Sequence, residues 1–350
     1  MPTRRQLLKQ AAASLAWSTV SRANEPWRMP DESAPHQRTW MAFVAKPSIW
    51  GRQLAPQVLD DLASIANAIA EFEPVSILVA PENANLARRT LSSSITQIEH
   101  PLDDLWMRDT GPTFVKSNDG RLGYIDFNFN GWGNKQSHRK DREVASFIGE
   151  HAGATRLETT LVLEGGGFEI NGEGDAILTE SCTLNPNRNP DVDKAQFEAE
   201  LARLLGIKRF TWLPGIAGTD ITDGHIDFYA RFCDHDTALC SIESDQSLSD
   251  YDITRDNLAR LSTRYKTVTV NTPTEFDTNE ISDDFAAGYI GYYICNGAVI
   301  CQAFGDRKAD QKAQAILRQQ FANREIVPLR VDGIAAGGGS IHCSTQQQPV

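Results

Sequence analysis

The chain repeats one strand–helix–strand pattern five times, and this repeat limits the possible folds more than any other feature of its 350 residues. The five units span residues 39–81, 122–166, 174–215, 237–273 and 297–331. In the first unit, the apolar residues Leu59, Leu62, Ile65, Ala66 and Ile69 share one helical face. A one-sided helix needs neighbours that bury its apolar face. The pattern fits an ordinary α/β sheet, and it also predicts an α/β propeller in which five units close into a ring.

Four motifs rich in glycine or proline come at or directly after the last strand of a unit. They read WMRDTGP (106–112), LEGGGFE (163–169), TDGHIDFYARF (222–232) and GGGSIHC (337–343). Equivalent ends of the units would converge at the centre of a ring. We therefore expect the motifs to bring together five side chains that are far apart in sequence, namely Asp109, Glu164, His225, Asp227 and Cys343.

These five side chains predict covalent chemistry on a cationic substrate. A cysteine nucleophile needs a nearby base or a lowered thiol pKa, and His225 could provide either for Cys343. Glu164 is a candidate acceptor that would orient the histidine. The remaining carboxylates, Asp109 and Asp227, would repel an anion and suit a guanidinium group. The set predicts attack of Cys343 on a guanidinium carbon, loss of ammonia and hydrolysis, with His225 as general acid and then general base.

Two glycine triplets lie near candidate residues: Gly165–Gly167 directly follows Glu164, and Gly337–Gly339 comes before Cys343. Glycine has no Cβ atom and tolerates unusual backbone angles. We expect both triplets to let the backbone pass close to the substrate.

Each motif also has a purely structural explanation. His225 and Asp227 could form a core pair on one face of a strand, Asp109 could belong to a structural ion pair, and Cys343 could be a buried packing residue. His342 could act as the base for Cys343, but neighbours on an extended strand point to opposite faces, so we expect it to pack or hydrogen-bond elsewhere. A metal site formed by His225, Asp227 and Cys343 matches no familiar zinc spacing, and no metal is expected.

Composition narrows the possible partners. The formal net charge is −12 and no basic cluster follows the N-terminus, so nucleic acid is not expected as a partner. The six cysteines form no C-x-x-C pair, and they are expected to be mostly free, buried thiols.

The N-terminal segment differs from the rest of the chain. Arg4 and Arg5 precede a short, weakly apolar run without acidic residues, and Ser21–Ala23 offers a small-residue cleavage site. This pattern predicts a twin-arginine-type export signal over residues 1–23, hence a periplasmic or secreted protein. A basic terminal helix in a cytoplasmic protein is the alternative. No later apolar run is long enough to cross a bilayer, so no membrane contact is expected after removal of the signal.

The chain resembles the family of agmatine deiminases and bacterial peptidylarginine deiminases, in the guanidine-modifying superfamily. The motifs that carry the resemblance are WMRDTGP, LEGGGFEINGEG, GHIDFYARF and GGGSIHCSTQQQP, in this order. The resemblance covers nearly all of the chain after about residue 25 and implies a single catalytic domain over residues 25–350. It also implies the pentein fold, a pseudo-fivefold α/β propeller, without a metal or an organic cofactor.

The resemblance assigns a role to each candidate residue. It implies that Cys343 is the nucleophile that forms an amidino-thioether, and that His225 is the general acid and base. It implies that Asp109 and Asp227 bind the guanidinium group, and that Glu164 helps to hold the histidine and the substrate.

The substrate expected from the resemblance is agmatine, because WMRDTGP and GHIDFYARF look closer to the agmatine branch of the family. The products would be N-carbamoylputrescine and ammonia. Deimination of arginine or peptidyl-arginine, amidino transfer to an amine, and an exported guanidine-binding protein with a structural Cys343 remain alternatives. A Cys–His acyl hydrolase is disfavoured because two aspartates would oppose a developing oxyanion.

The sequence leaves open which residues hold the far end of the substrate, and it leaves the oligomeric state open. Four aspartates near the motifs could meet an ammonium group or cap a turn, namely Asp103, Asp104, Asp220 and Asp223.

Overall fold

The structure is a computed structural model that describes residues 26–276 and 284–350, and the strands of these residues form five sheets. The strands are β1 (Trp27–Arg28), β2 (His36–Phe43), β3 (Val75–Val79), β4 (Thr96–Glu99), β5 (Thr113–Ser117), β6 (Leu122–Ile125), β7 (Thr155–Leu157), β8 (Phe168–Ile170), β9 (Asp175–Thr179), β10 (Arg209–Leu213), β11 (Ala230–Phe232), β12 (Thr237–Ile242), β13 (Lys266–Asn271), β14 (Tyr293–Cys295), β15 (Ala298–Gln302), β16 (Glu325–Leu329) and β17 (Thr345–Pro349). The sheets have the orders β17-β2-β3-β4, β1-β5-β6-β7, β10-β9-β8, β11-β12-β13 and β14-β15-β16. The predicted export signal over residues 1–23 lies outside the described residues.

Most of the helices lie in the chain segments that connect two parallel strands of the same sheet. They are α1 (Pro47–Ala70), α2 (Ala84–Thr90), α3 (Met107–Thr110), α4 (Gly131–Asn134), α5 (Val144–His151), α6 (Glu180–Thr183), α7 (Lys194–Leu205), α8 (Asp250–Leu261), α9 (Arg307–Gln320) and α10 (Asp332–Ala336). Short 3₁₀ turns span Pro81–Asn83, Asp141–Glu143, Gly165–Gly167, Ile226–Phe228 and His342–Ser344.

All five sheets share one plan. In each, an antiparallel strand pair is followed by a parallel pair whose connection contains a helix, as in β8, β9, α7 and β10. The same crossover joins β2 to β3, β6 to β7, β12 to β13 and β15 to β16. These crossovers are the five predicted units. The short turns that precede β5, β8, β11 and β17 contact one another, so the sheets surround a common centre.

The first sheet joins two distant parts of the sequence. Strand β17 runs antiparallel to β2, with Gln346 opposite Trp40. The pairing places the segment that contains Cys343 beside the first unit, and it closes the ring.

The predicted last strand of the second unit, residues 159–166, is wrong. The strand that pairs with β6 is the earlier β7, and Gly123 lies opposite Thr155. Residues 158–164 leave the sheet, and the Val162 amide donates to Asn189 Oδ1 (3.0 Å) instead of a neighbouring strand. The apolar side chains of Leu161 and Leu163, which suggested a strand, are instead buried in a core cluster between elements.

Local sequence explains how the helices begin and end. Asp193 and Gln196 form a capping box at the start of α7, and Gly206 ends this helix in the left-handed conformation with φ of 74°. In α1, Leu62, Ile65 and Ile69 are fully buried, which accounts for the one-sided pattern. Burying each of these side chains stabilises the fold by about 1.5–3 kcal/mol.

All six cysteines are free thiols, and every one except Cys343 is buried, as expected from the sequence. Among the described residues, no helix combines the length and the apolar character needed to span a bilayer.

Candidate active site

A cavity of about 270 Å³ lies among the predicted motifs. Asp109, His225 and Cys343 line it, together with the indole rings of Trp50, Trp106 and Trp132. Glu164 is fully buried against His225, and Asp227 is buried beside Cys343. The structure therefore brings together all five residues that were predicted to share a site.

Short turns position these side chains. Asp109 lies in α3, Glu164 directly precedes the turn Gly165–Gly167, Asp227 lies in the turn Ile226–Phe228, and Cys343 lies in the turn His342–Ser344. The alternative that placed His225 and Asp227 on one face of a strand is wrong, because β11 begins only at Ala230.

Cys343 faces carboxylates. Its Sγ lies 3.8 Å from Asp227 Oδ2 and 3.3 Å from Ser340 Oγ. Burial, with the negative charges of Asp227 and Asp109, raises the pKa of the Cys343 thiol to about 12. Without a bound cation the side chain is therefore a thiol at neutral pH.

His225 lies between two carboxylates. Its Nε2 is 3.6 Å from Glu164 Oε2 and its Nδ1 is 3.9 Å from Asp109 Oδ2. Burial alone favours the neutral ring, but Asp109 and the other anionic neighbours raise the pKa of His225 well above its ordinary value. The ring is a cation at neutral pH and has a proton to donate.

Asp109 is held by two donors. Trp132 Nε1 donates to Oδ2 (2.9 Å), and the Gly166 amide donates to Oδ1 (3.0 Å). Burial raises the pKa of Asp109, although His225 opposes this shift. The positive charge of a bound cation would therefore stabilise the ionised form of Asp109.

The two oxygens of Asp227 differ in their surroundings. Oδ2 accepts from His342 Nδ1 (2.8 Å), whereas Oδ1 is buried without a hydrogen-bond partner among the described residues. Burial opposes ionisation, but the His342 hydrogen bond and charge lower the pKa of Asp227. A buried unpaired oxygen is costly, and it is Oδ2 that lies near Cys343 Sγ. His342 bonds to Asp227 and not to Cys343, in agreement with the expectation that it acts elsewhere.

Glu164 has a partner that the sequence did not reveal. Arg188 Nε lies 2.9 Å from each Glu164 oxygen, and Arg188 Nη1 donates to Asp223 Oδ2 (2.9 Å). Burial opposes ionisation, but His225 and Arg188 lower the pKa of Glu164. Arg188 lies in the irregular segment LNPNRNP. This segment has no periodic pattern that could have indicated the pairing with Glu164.

The glycine triplets make room for side chains. A Cβ atom on Gly337 would lie 2.2 Å from Trp50 Cζ3, and one on Gly339 would lie 2.2 Å from Trp106 Cζ3. A Cβ atom on Gly166 would lie 2.5 Å from His225 Nδ1. The triplets thus allow the backbone to pack against the walls of the cavity, and their expected approach to the substrate stays a prediction.

The aspartates considered for the far end of the substrate are mostly engaged. Asp103 accepts from Lys46 Nζ (3.0 Å), Asp220 accepts from the Thr222 amide, and Asp223 pairs with Arg188. Asp104 lines the cavity, but its carboxylate accepts from Trp50 Nε1 and Gln136 Nε2. These contacts account for all four as local anchors.

One group of metal-binding side chains occurs among the described residues. One ligand atom each from Glu164, Cys182 and His225 lie within 4.8 Å of one another. The cationic Arg188 occupies both Glu164 oxygens, so its charge opposes a divalent cation there. In the described part of the chain, His225, Asp227 and Cys343 do not meet this spacing.

A family model for Porphyromonas-type peptidyl-arginine deiminases matches residues 28–349. The chain belongs to this family. Among family relatives, an agmatine deiminase of Stutzerimonas stutzeri is 35% identical over 362 residues, covering 95% of this chain and 98% of that protein. An agmatine deiminase of Pseudomonas aeruginosa is 35% identical over 353 residues, covering 92% of this chain and 95% of that protein.

A solved structure of the agmatine deiminase of Enterococcus faecalis superimposes on this peptidyl-arginine deiminase family member with a TM-score of 0.86. The two chains are 29% identical, and the match covers 93% of this chain and 98% of that one. Together with the five sheets, this similarity confirms the pentein fold that the sequence motifs implied.

Proposed function

We propose that this protein is an agmatine deiminase, which hydrolyses agmatine to N-carbamoylputrescine and ammonia through a covalent amidino-cysteine intermediate. The observation that carries the proposal is the cavity itself, where a thiol faces two buried carboxylates and a protonated histidine. The named relatives support the substrate.

Binding begins with charge pairing. The guanidinium group would lie between Asp109 and Asp227, whose carboxylates accept its N–H groups. The added positive charge favours the thiolate, so the Cys343 proton leaves to water through the cavity.

Two half-reactions follow. The Cys343 thiolate attacks the guanidinium carbon, and protonated His225 donates to the leaving nitrogen, so that ammonia departs and an S-amidino intermediate remains. Neutral His225 then takes a proton from water, and the hydroxide attacks the same carbon. The C–S bond breaks, the thiolate returns, and a proton leaves as the ureido product forms. Glu164 holds His225 during both steps.

The cavity wall favours agmatine over arginine. Among the described residues that line the cavity, none is lysine or arginine, so the α-carboxylate of arginine would have no counterion there. Indole faces of Trp50, Trp106 and Trp132 suit an alkylammonium chain, because ring faces attract cations.

We also propose that residues 1–23 direct export. The adjacent Arg4 and Arg5 before a weakly apolar run support this. Mass spectrometry of the exported protein should show a start near Asn24, and an intact Met1 would contradict export.

The testing experiment uses protein that starts near Asn24, with Cys343→Ser as the control. Agmatine, arginine and an arginine peptide are incubated separately, and ammonia and the ureido product are measured. We expect turnover of agmatine that is lost in the variant. Turnover of arginine or of the peptide alone would overturn the substrate. Tight agmatine binding without turnover would favour a guanidine-binding protein, and product formed only with an added amine would favour amidino transfer.

A further inference from the structure

A single carboxylate, that of Glu32, connects the sheets at the centre of the ring. Its Oε2 accepts from Arg108 Nη2 (2.9 Å) and His342 Nε2 (2.9 Å). Its Oε1 lies 2.8 Å from Arg231 Nη2 and accepts from the Ile294 amide (2.9 Å). These four partners belong to four different sheets or to the turns before them.

The acidic and basic side chains around Glu32 are paired. Arg231 Nε lies 3.4 Å from Glu169 Oε2 on β8, in the remaining sheet. Three carboxylates therefore face three basic side chains in a buried network, which consists of Glu32, Glu169 and Asp227 with Arg108, Arg231 and His342. A buried charge is tolerated only when it is paired in this way.

His342 links this network to the cavity. Its Nε2 bonds to Glu32 Oε2 and its Nδ1 bonds to Asp227 Oδ2 (2.9 and 2.8 Å). Burial alone would raise the pKa of Glu32, but Arg231, His342 and Arg108 hold it well below its ordinary value. The His342 ring therefore bridges the carboxylates of Glu32 and Asp227 through its two nitrogens.

The bond from His342 fixes the orientation of Asp227. Oδ2 is both the oxygen that accepts from His342 and the oxygen that lies 3.8 Å from Cys343 Sγ, so the bond holds the carboxylate beside the thiol. We infer that Glu32 and His342 are positioning residues that hold the Asp227 carboxylate beside Cys343, where it can pair with a bound guanidinium or amidinium group. This inference rests on the proposed guanidine chemistry, although the probe below does not require agmatine to be the substrate.

The probe is a pair of alkylating reagents that differ in charge. Chloroacetamidine is a cation shaped like the end of a guanidine, and chloroacetamide is its neutral counterpart with the same leaving group. Alkylation of Cys343 is followed by mass spectrometry of its peptide. The ratio of the two rates measures how well the carboxylate pair holds a planar cation beside the thiol, without any turnover.

The variants separate positioning from stability. Glu32→Gln removes the charge that holds His342, whereas Glu169→Gln is a matched control that removes a buried carboxylate of the same network without contact to His342. His342→Asn breaks the link and leaves Glu32 to balance Arg108 and Arg231, so it tests the inference even where Glu32→Gln fails to fold. Melting temperatures are measured for every variant.

We expect the rate ratio to fall at least tenfold in Glu32→Gln and His342→Asn, and to change less than threefold in Glu169→Gln. The double variant Glu32→Gln, His342→Asn should match His342→Asn alone, because Glu32 acts through His342. A ratio in His342→Asn equal to the parent, or an equal loss in Glu169→Gln, would overturn the inference. A parent protein that deiminates no guanidine yet shows these ratios would overturn the proposed function alone.

Discussion

Replacing Gly166 with alanine tests whether the approach of the backbone to His225 sets the rate of the reaction. The new Cβ atom would lie 2.5 Å from His225 Nδ1, 3.0 Å from Asp227 Oδ2 and 3.2 Å from Asp109 Oδ1. Relief of the closest contact to ordinary separation needs a movement of about 0.9 Å. A misplacement of about 1 Å at a reacting group costs roughly 100-fold in rate, which corresponds to about 2.7 kcal/mol.

The neighbouring Gly167 provides the control. Its added Cβ atom would be 3.4 Å from Leu163 Cδ1 and 3.5 Å from Cys182 Sγ, which is ordinary contact, and neither glycine has a positive φ. Gly166→Ala and Gly167→Ala are compared by ammonia release from agmatine and by thermal unfolding. We expect kcat/KM to fall about 100-fold in Gly166→Ala and less than about threefold in Gly167→Ala.

Overpacking at Gly166 also destabilises the fold, by about 1–3 kcal/mol, so activity is measured well below the melting temperature of the variant. Full activity in Gly166→Ala would refute the reasoning, because it would mean that His225 can move without effect on the reaction. Equal losses in both variants would refute it as well, since they would reflect the turn as a whole.

Two further predictions concern charge and hydrogen bonding at the site. Alkylation of Cys343 by chloroacetamide, without substrate, should accelerate about tenfold for each pH unit between about pH 7 and pH 9, because a thiol with a pKa of about 12 gains thiolate over this whole range; a plateau in the rate near neutral pH would contradict this. Trp132→Phe removes the donor to Asp109 Oδ2 and should raise the KM for agmatine at least about tenfold, since a hydrogen bond to a charged group contributes about 1.5–3 kcal/mol. Trp212→Phe removes the same kind of bond from Glu198, outside the cavity, and should change KM less than threefold, whereas equal effects of the two variants would contradict a special role for Asp109.

The repeated units were predictable because they depend on local patterns. One-sided helices such as α1 and α7 and the short apolar strands beside them follow from periodicity alone. The strands that pair antiparallel with the first strand of each unit were not predicted, namely β5, β8, β11, β14 and β17. Strand β17, for example, contains the polar sequence TQQQP but is fully buried, and its side chains bond to residues outside its own sheet: Gln346 donates to the Pro112 carbonyl, and Gln347 accepts from Arg108.

The five candidate site residues could be found because their motifs occur at equivalent positions of the units. The residues that support them could not. Glu32 and His342 are 310 positions apart, and Arg188 is 24 positions from Glu164. The first pair forms when the ring closes and the second when the loop after β9 folds back, and no local spacing encodes either pair. His342 adjoins Cys343, but its two partners became visible only in three dimensions.

The pairing of β17 with β2 determines when Cys343 reaches the other side chains of the site during folding. Trp40 and Gln348, which bond across this pair, are 308 positions apart, and contacts between such distant positions form late because loop closure costs entropy before they stabilise the fold. His225 and Asp109 therefore meet Cys343 only when the ring closes. Until then the chain carries an ordinary thiol, so a partly folded molecule would not deiminate guanidines. The rate at which Cys343 becomes selectively reactive toward an amidine during refolding would thus measure the rate of ring closure.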